Sequence, residues 1–334
     1  MSQKLITVFG ATGAQGSSVL RSLAASNSKM FTLRGTTRSP SSDSSQKISA
    51  LGVEVVKADG WDKESMVAAF SGSWGAFVNT NSDDPIYEDP DFKKTELDQG
   101  KLIVDAAVEA GVQVFVYSGL KGAKEITGGK VANPAFDDKG DIGKYAEATG
   151  AFKNVVLAGP GDYYENWTHK DLAPVFGGFP YIPSEDGTLV FRSPKWGGKE
   201  EIPFISIAED YGDIVHGIFL DPAKWNGKLV QAVSEVTSFE ETMKEFERVT
   251  GKKARFEEIP DWRDFNTYGV RALETVKLMF AFCQESGGLY YGEQTDSHTA
   301  ADLKQRAAEA CGKSGDETKL FTLKAFFTRE FTGN

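Results

Sequence analysis

Three glycines spaced three residues apart, Gly10, Gly13 and Gly16, stand in the run Val8-Phe9-Gly10-Ala11-Thr12-Gly13-Ala14-Gln15-Gly16. Glycine has no Cβ, so such a loop can turn tightly and bring backbone N–H groups against an anionic ligand. The run follows a short apolar stretch, Leu5–Phe9, and opens a helical pattern over about Ala14–Ala25. Strand, glycine turn and helix in that order make a pyrophosphate cradle, with Thr12 and Gln15 beside it, and point to a dinucleotide. A site for NAD places Asp or Glu about 20 residues further on, against the ribose 2′-hydroxyl. Here the second strand ends in Thr36-Thr37-Arg38-Ser39, with no acid. Arg38 can pair bidentately with a 2′-phosphate, and Thr37 and Ser39 add hydroxyl donors, so the expected cofactor is NADP(H). Asp59, after the third strand, either accepts from an adenine amino group or caps the next helix. Asn79-Thr80-Asn81 ends the fourth strand beside the cofactor path.

These residues need a scaffold that presents strand ends together. Apolar runs at Leu5–Phe9, Phe31–Thr37, Val53–Lys57, Gly75–Asn79, Val112–Tyr117 and Phe152–Leu157 read as buried strands. Between them the pattern predicts helices at about Ala14–Ala25, Ser44–Leu51, Lys63–Phe70, Asp91–Ala110 and Asp138–Thr149. Strands separated by helices pair in parallel through right-handed crossovers, so the expected class is α/β, a Rossmann doubly wound parallel sheet. Residues 1–160 supply this dinucleotide-binding domain. Residues 161–334 form a smaller mixed α/β lobe for substrate or partner, whose segments can interleave with the sheet. Gly177–Pro203 reads as loops and a hairpin around a strand-like Thr188–Phe191, and helices follow at Ser238–Gly251, Trp262–Phe282 and Ala300–Cys311.

Composition narrows the functions. The 334 residues carry 37 Lys+Arg against 48 Asp+Glu, a net charge of −11, with 40% hydrophobic residues. That balance suits a globular chain and opposes a general grip on nucleic acid, which depends on displacing counterions with Lys and Arg. The two cysteines, Cys283 and Cys311, form no CxxC motif, and the three histidines lack metal-site spacing, so no metal site is expected. No apolar stretch approaches the roughly 18–20 residues of a membrane helix. Met1-Ser2-Gln3-Lys4 leads into the glycine motif with no apolar leader, giving the expectation of a cytoplasmic protein with no membrane partner.

Gly10–Gly16, Thr37-Arg38, Val78-Asn79-Thr80-Asn81, Gln99-Gly100-Lys101, Val116-Tyr117-Ser118-Gly119-Leu120, Phe136-Asp137-Asp138-Lys139 and Tyr163-Tyr164-Glu165-Asn166 together resemble the NmrA-like family. These are atypical members of the short-chain dehydrogenase/reductase superfamily. The resemblance spans essentially the whole chain and is most specific over residues 4–170. It implies an NADP(H)-binding Rossmann domain with a small C-terminal lobe, and a function as either a reductase or a sensor of the NADPH/NADP ratio that regulates a protein partner. It also makes a homodimer plausible.

The superfamily's ordinary chemistry needs Tyr and Lys four residues apart on a helix, where the ammonium can lower the phenol pKa. By the resemblance, Lys139 is the family lysine, and four residues before it stands Ala135. Tyr117 and Lys121 have the spacing but begin in a strand. Three readings follow from the missing tyrosine. Lys139 holds the nicotinamide ribose without turnover; or Lys139 is itself the acid/base group, with Ser118 and backbone orienting a small carbonyl, imine or activated alkene; or Tyr163 or Tyr164 supplies the proton. The family motif also places Tyr163 and Asn166 near the cofactor. Trp167, Phe176, Phe179, Tyr181 and Trp196 either wall an apolar pocket or form core.

Overall fold

The computed structural model describes residues 3–333; Met1, Ser2 and Asn334 lie outside the described residues. Strand and helix alternate through the first half as β1 (Lys4–Val8), α1 (Ala14–Ala24), β2 (Phe31–Thr37), α2 (Asp43–Ser49), β3 (Glu54–Lys57), α3 (Lys63–Phe70), β4 (Gly75–Val78), α4 (Glu96–Glu109), β5 (Val114–Tyr117), α5 (Ala123–Ile126), α6 (Pro134–Ala148) and β6 (Asn154–Pro160). Then follow β7 (Asp162–Tyr163), β8 (Leu189–Pro194), β9 (Ile202–Ile205), α7 (Gly212–Leu220), α8 (Pro222–Trp225), β10 (Lys228–Ala232), β11 (Glu235–Thr237), α9 (Phe239–Thr250), β12 (Ala254–Ile259), α10 (Arg271–Glu285), α11 (His298–Ala310) and α12 (Leu323–Phe331).

Seven strands form one parallel sheet in the order β3-β2-β1-β4-β5-β6-β10, the doubly wound sheet expected from the alternation. The order reverses between β1 and β4, and ligands of such sheets bind outside the carboxyl ends at that point. Register brings the relevant ends level: Val8 lies opposite both Gly35 of β2 and Phe77 of β4. The glycine loop, Thr37 and Asn79 therefore emerge side by side. β4 and β5 are buried along their whole length, which is why their sequences are apolar without alternation.

Both sheet faces are covered. Val19, Leu20 and Leu23 of α1, Ile214, Val215 and Ile218 of α7, and Leu303 of α11 pack on one face. Met66 and Phe70 of α3, Ile103 and Ala107 of α4, and Ile142 and Ala146 of α6 pack on the other. Burying each large side chain contributes roughly 1.5–3 kcal/mol before ordering costs. Beside β7 the rest of the chain gathers a separate aromatic core that includes Trp167, Phe204, Phe239, Phe246, Phe326 and Phe327.

Four sequence expectations shift. The strand near residue 190 makes no hairpin: β8 pairs in parallel with distant β12, while β9 joins β7 and β11. The helix expected over Trp262–Phe282 is a short 3₁₀ turn, Trp262–Asp264, then a break before α10; Tyr268 and Gly269 both take positive φ there. α4 starts at Glu96, later than Asp91, because Thr95 and Asp98 form a capping box. α6 starts at Pro134, earlier than Asp138, because proline at the first helical position needs no N–H partner. Ser238 and Gly251 cap α9 as their types suggest, Ser238 accepting from the Glu241 N–H and Gly251 adopting the left-handed conformation. Among the described residues no helix is long and apolar enough to cross a membrane.

Candidate functional site

Backbone alone shapes the first part of the site. Gly10 sits at φ +75°, which glycine adopts without penalty. Gly16 must lack a side chain because a Cβ there would come within 2.2 Å of the Gly10 carbonyl oxygen. Gly13 is the N-cap of α1 and makes no side-chain cap, so the first-turn N–H groups of α1 have no intrahelical or capping acceptor. No acid occupies that turn, and the helix dipole adds to its pull on an anion.

This cradle opens into a cavity of about 530 Å³ lined by Gly10, Thr12, Gly13, Thr37, Arg38, Ser39, Asp59, Asn79 and Asn81, with Gly60, Asp84 and Gln99. The sequence therefore names most of its wall. Asp59 lines it with its Oδ1 accepting the Trp61 N–H at 3.0 Å. Arg38 is 66% exposed, and its guanidinium lies 3.3 Å from the Asp84 carboxylate across the mouth.

A second cavity, about 330 Å³, continues past Ala14, Asn79 and Asn81 to Gln15, Thr80, Ser118, Ala135, Lys139 and Tyr163. Ala135 and Lys139 both face it from α6, one turn apart. Lys139 is not a free ammonium: it is ion-paired with Glu96 of α4 and donates to the Thr80 carbonyl at 2.8 Å. Glu96 is 3% exposed. Its Oε1 also accepts from the Thr80 hydroxyl at 2.5 Å, and Tyr117 donates to that hydroxyl oxygen at 2.8 Å. Tyr117 is thus a buried strand residue, and the Tyr117–Lys121 spacing forms no pair: Lys121 lies 3.9 Å from Glu293 instead.

Tyr163 accepts from the Gln15 side-chain amide at 2.6 Å. Burial pushes its phenol up to about 12, with the Gln15 donor opposing, so it stays a protonated hydroxyl at neutral pH. Gln15 Oε1 is buried and, among the described residues, without a partner. The cradle that a Cβ would fill, open to the unpaired first-turn N–H groups of α1, fits the pyrophosphate of a dinucleotide.

Tyr163, Asp83, Phe136, Thr275 and Tyr290 line the second cavity and also a third, of about 390 Å³. Trp167, Phe176 and Phe179 wall this third space, whereas Trp196 is fully buried core and Tyr181 packs against Phe331. Tyr164 is also core: its hydroxyl meets Glu235 and the Phe321 carbonyl and reaches none of the three cavities. Asn166 faces the third cavity, donating to Asp162 at 3.2 Å, and is not part of the cofactor-side wall.

The family model described as NmrA-like family matches residues 2–310. The chain belongs to the NmrA-like family. Similar curated relatives include the NmrA-like family domain-containing oxidoreductases FrzB of Cladobotryum sp, 48% identical over 332 residues, and lnaB of Aspergillus flavus, 47% identical over 331, each match covering 98% of both chains. Among solved structures the fold is similar to NmrA, a negative transcriptional regulator, in complex with NADP (TM-score 0.75, 21% identity, 99% of this chain and 96% of that one). It is also similar to the NADPH-dependent quinone oxidoreductase QOR2 from Escherichia coli complexed with NADPH (TM-score 0.68, 20% identity, 98% and 99%).

Three residues of this NmrA-like site escape sequence reasoning. Glu96 stands 43 residues before its partner Lys139, and nothing local to either marks the pair. Asp83 lies in the loop after β4, among other acids that are indistinguishable from it in sequence. Asp162 had a signal, because it immediately precedes the singled-out Tyr163 on β7.

Proposed function

We propose that this chain is an NADP(H)-dependent oxidoreductase acting on a small, largely apolar substrate. The observation that carries the reading is the run of three adjoining cavities from the glycine cradle, past Ser118 and Lys139, to the aromatic space. The first would take the adenosine and pyrophosphate, with Arg38, Thr37 and Ser39 at the 2′-phosphate. The second would take the nicotinamide end, with Ser118, Lys139 and Gln15 beside it. A reduced nicotinamide dinucleotide bound there would supply hydride. Tyr163, hydroxylic and shared by the second and third cavities, is placed to hold a substrate atom and to donate a proton. Aromatic walls would keep water from the reacting carbon.

Ala135 supports a second reading, a redox sensor that binds NADP(H) without turnover and regulates a protein partner. An alanine cannot donate a proton, and the Lys139 ammonium is already committed to Glu96 and Thr80. Calorimetry with NADPH and NADH, followed by NADPH oxidation over a panel of apolar carbonyls, imines and activated alkenes, separates the readings. NADPH binds at least about ten-fold more tightly than NADH, and Arg38→Glu removes that preference, since a charge-assisted pair contributes about 1.5–3 kcal/mol. Equal affinities in the unmodified protein would overturn the NADP(H) assignment. Tight NADPH binding with no turnover across the panel would leave the sensor.

A further inference from the structure

The third cavity has an uneven charge. Its walls are aromatic and aliphatic, with Phe136, Trp167, Phe176, Phe191, Phe239 and Tyr290 among them. Two carboxylates face it, Asp162 from β7 and Asp83 at the neck shared with the second cavity. Among the described residues its lining includes no lysine or arginine; His169, at the surface, is the other ionisable group besides the tyrosines. Lys139, held by Glu96, and Arg271, over the Tyr87 ring, both act on Asp83 as opposing charges, whereas no cation is paired with Asp162 among the described residues. Burial pushes the Asp162 carboxyl up to about 6, only partly offset by the Asn166 amide, and raises Asp83 as well. Asp162 in such surroundings lacks a counter-charge, and a cationic occupant would supply it.

We propose that the cavity selects a substrate that is cationic at its reacting end, an iminium group (C=N⁺) on an aryl or similarly apolar body, with Asp162 as the selecting charge. This rests on the oxidoreductase reading above. An iminium carbon that accepts a hydride passes its C=N π pair to nitrogen, leaving a neutral amine and the oxidised dinucleotide, with no proton consumed. The missing tyrosine at Ala135 is then no defect, because the step needs no acid, and the Tyr163 hydroxyl holds the substrate without giving up its proton. A carbonyl accepting the same hydride would build negative charge on oxygen beside the Asp162 carboxylate, which a poorly screened apolar cavity opposes.

The test uses two bicyclic probes of nearly equal shape, the permanently charged 2-methyl-3,4-dihydroisoquinolinium and neutral 1-tetralone. Affinities are read by calorimetry on the full chain, alone and with NADP⁺, where neither probe can be reduced; turnover is read separately with NADPH. The cation binds about ten-fold or more tightly than the ketone and is the better substrate. Asp162→Asn weakens the cation about ten-fold and leaves the ketone unchanged, whereas Asp162→Glu keeps most of the preference. Thermal melts of both variants establish that they fold. Equal binding of the two probes, an Asp162→Asn effect common to both, or no binding of either would overturn the proposal. Failure of NADPH itself to bind would instead remove the oxidoreductase reading, while the binding arm without cofactor still decides the charge preference.

Discussion

Replacing Gly16 by alanine should damage the dinucleotide cradle far more than the same change at Gly13, three residues away in one motif. An alanine Cβ at Gly16 would lie 2.2 Å from the Gly10 oxygen, 2.8 Å from its carbonyl carbon and 3.0 Å from the Ala11 Cα. All three are backbone atoms, so no side chain can swing aside, and relief needs a shift of roughly 1 Å. The loop has nowhere to go. Gly10 is bounded by the Asn79 carbonyl, and Phe9 donates to the Phe77 carbonyl at 2.8 Å. Helix α1 cannot retreat easily either, because on its far side it meets α7 so closely that a Cβ on Gly212 would sit 2.2 Å from the Ser18 oxygen. At Gly13 the Cβ would lie 3.4 Å from its nearest neighbour, the Gly10 oxygen, an ordinary contact. Overpacking of this kind costs about 1–3 kcal/mol of stability, and the displaced N–H groups should cost NADPH at least ten-fold in affinity, about 1.4 kcal/mol. Urea unfolding gives the first number and calorimetric NADPH titration the second. A Gly16→Ala protein with unaltered urea midpoint and unaltered NADPH affinity would refute the close-packing account of this motif.

Two further outcomes follow from the polar interior. Glu96→Gln and Lys139→Met should each destabilise the protein by about 2–4 kcal/mol, since either leaves a buried charge or acceptor unmatched. The double variant should cost less than their sum in a urea-unfolding double-mutant cycle, and strict additivity would mean that the pair is not coupled. His216 of α7 lies buried against Ser22 and Phe31, and burial lowers its pKa from 6.5 to about 4, with nearby Asp213 partly offsetting. The unfolded chain therefore binds this proton more readily than the folded one. Its stabilising contribution is complete above pH 6.5 and is lost as pH falls towards 4, about 3 kcal/mol in all. His216→Asn should remove that share of the acid slope, measured as the difference between variant and parent at pH 7 and pH 4.5. An unchanged slope would contradict the assignment.

Local chemistry made much of this molecule readable in advance. The glycine turn, the six strand runs and the arginine after β2 are each signalled by residues close in sequence, because a turn or a strand is decided over a few residues. What escaped depends on distance along the chain. β10 joins the sheet from residue 228 and has only a short apolar run, Leu229-Val230, to announce it. β8 takes its partner from residues 254–259, so its neighbours in sequence suggested a hairpin that pairing does not make. The same holds for the chemistry. Lys139 looked like an available ammonium because its carboxylate partner arrives from another helix. Asp162 adjoins a singled-out tyrosine, but the apolar surroundings that shift its carboxyl come from residues distant in sequence, α10 among them. The helix starts at Glu96 and Pro134 are a different kind of miss, since the capping signals were in the sequence and the apolar periodicity outweighed them.

The seventh strand has a consequence for how the chain is made. When a ribosome has released the first 160 residues, six strands are present and the outer edge of β6 offers a row of unmatched N–H and C=O groups. More than 60 residues must emerge before Lys228–Ala232 can seal that edge, and α11, which packs across α7 and β10, comes about 70 residues later still. Until then the nascent sheet is an open template of the sort that recruits stray strands. Substitutions in β10 should thus be felt first as lost soluble yield during synthesis, before any effect on the finished protein.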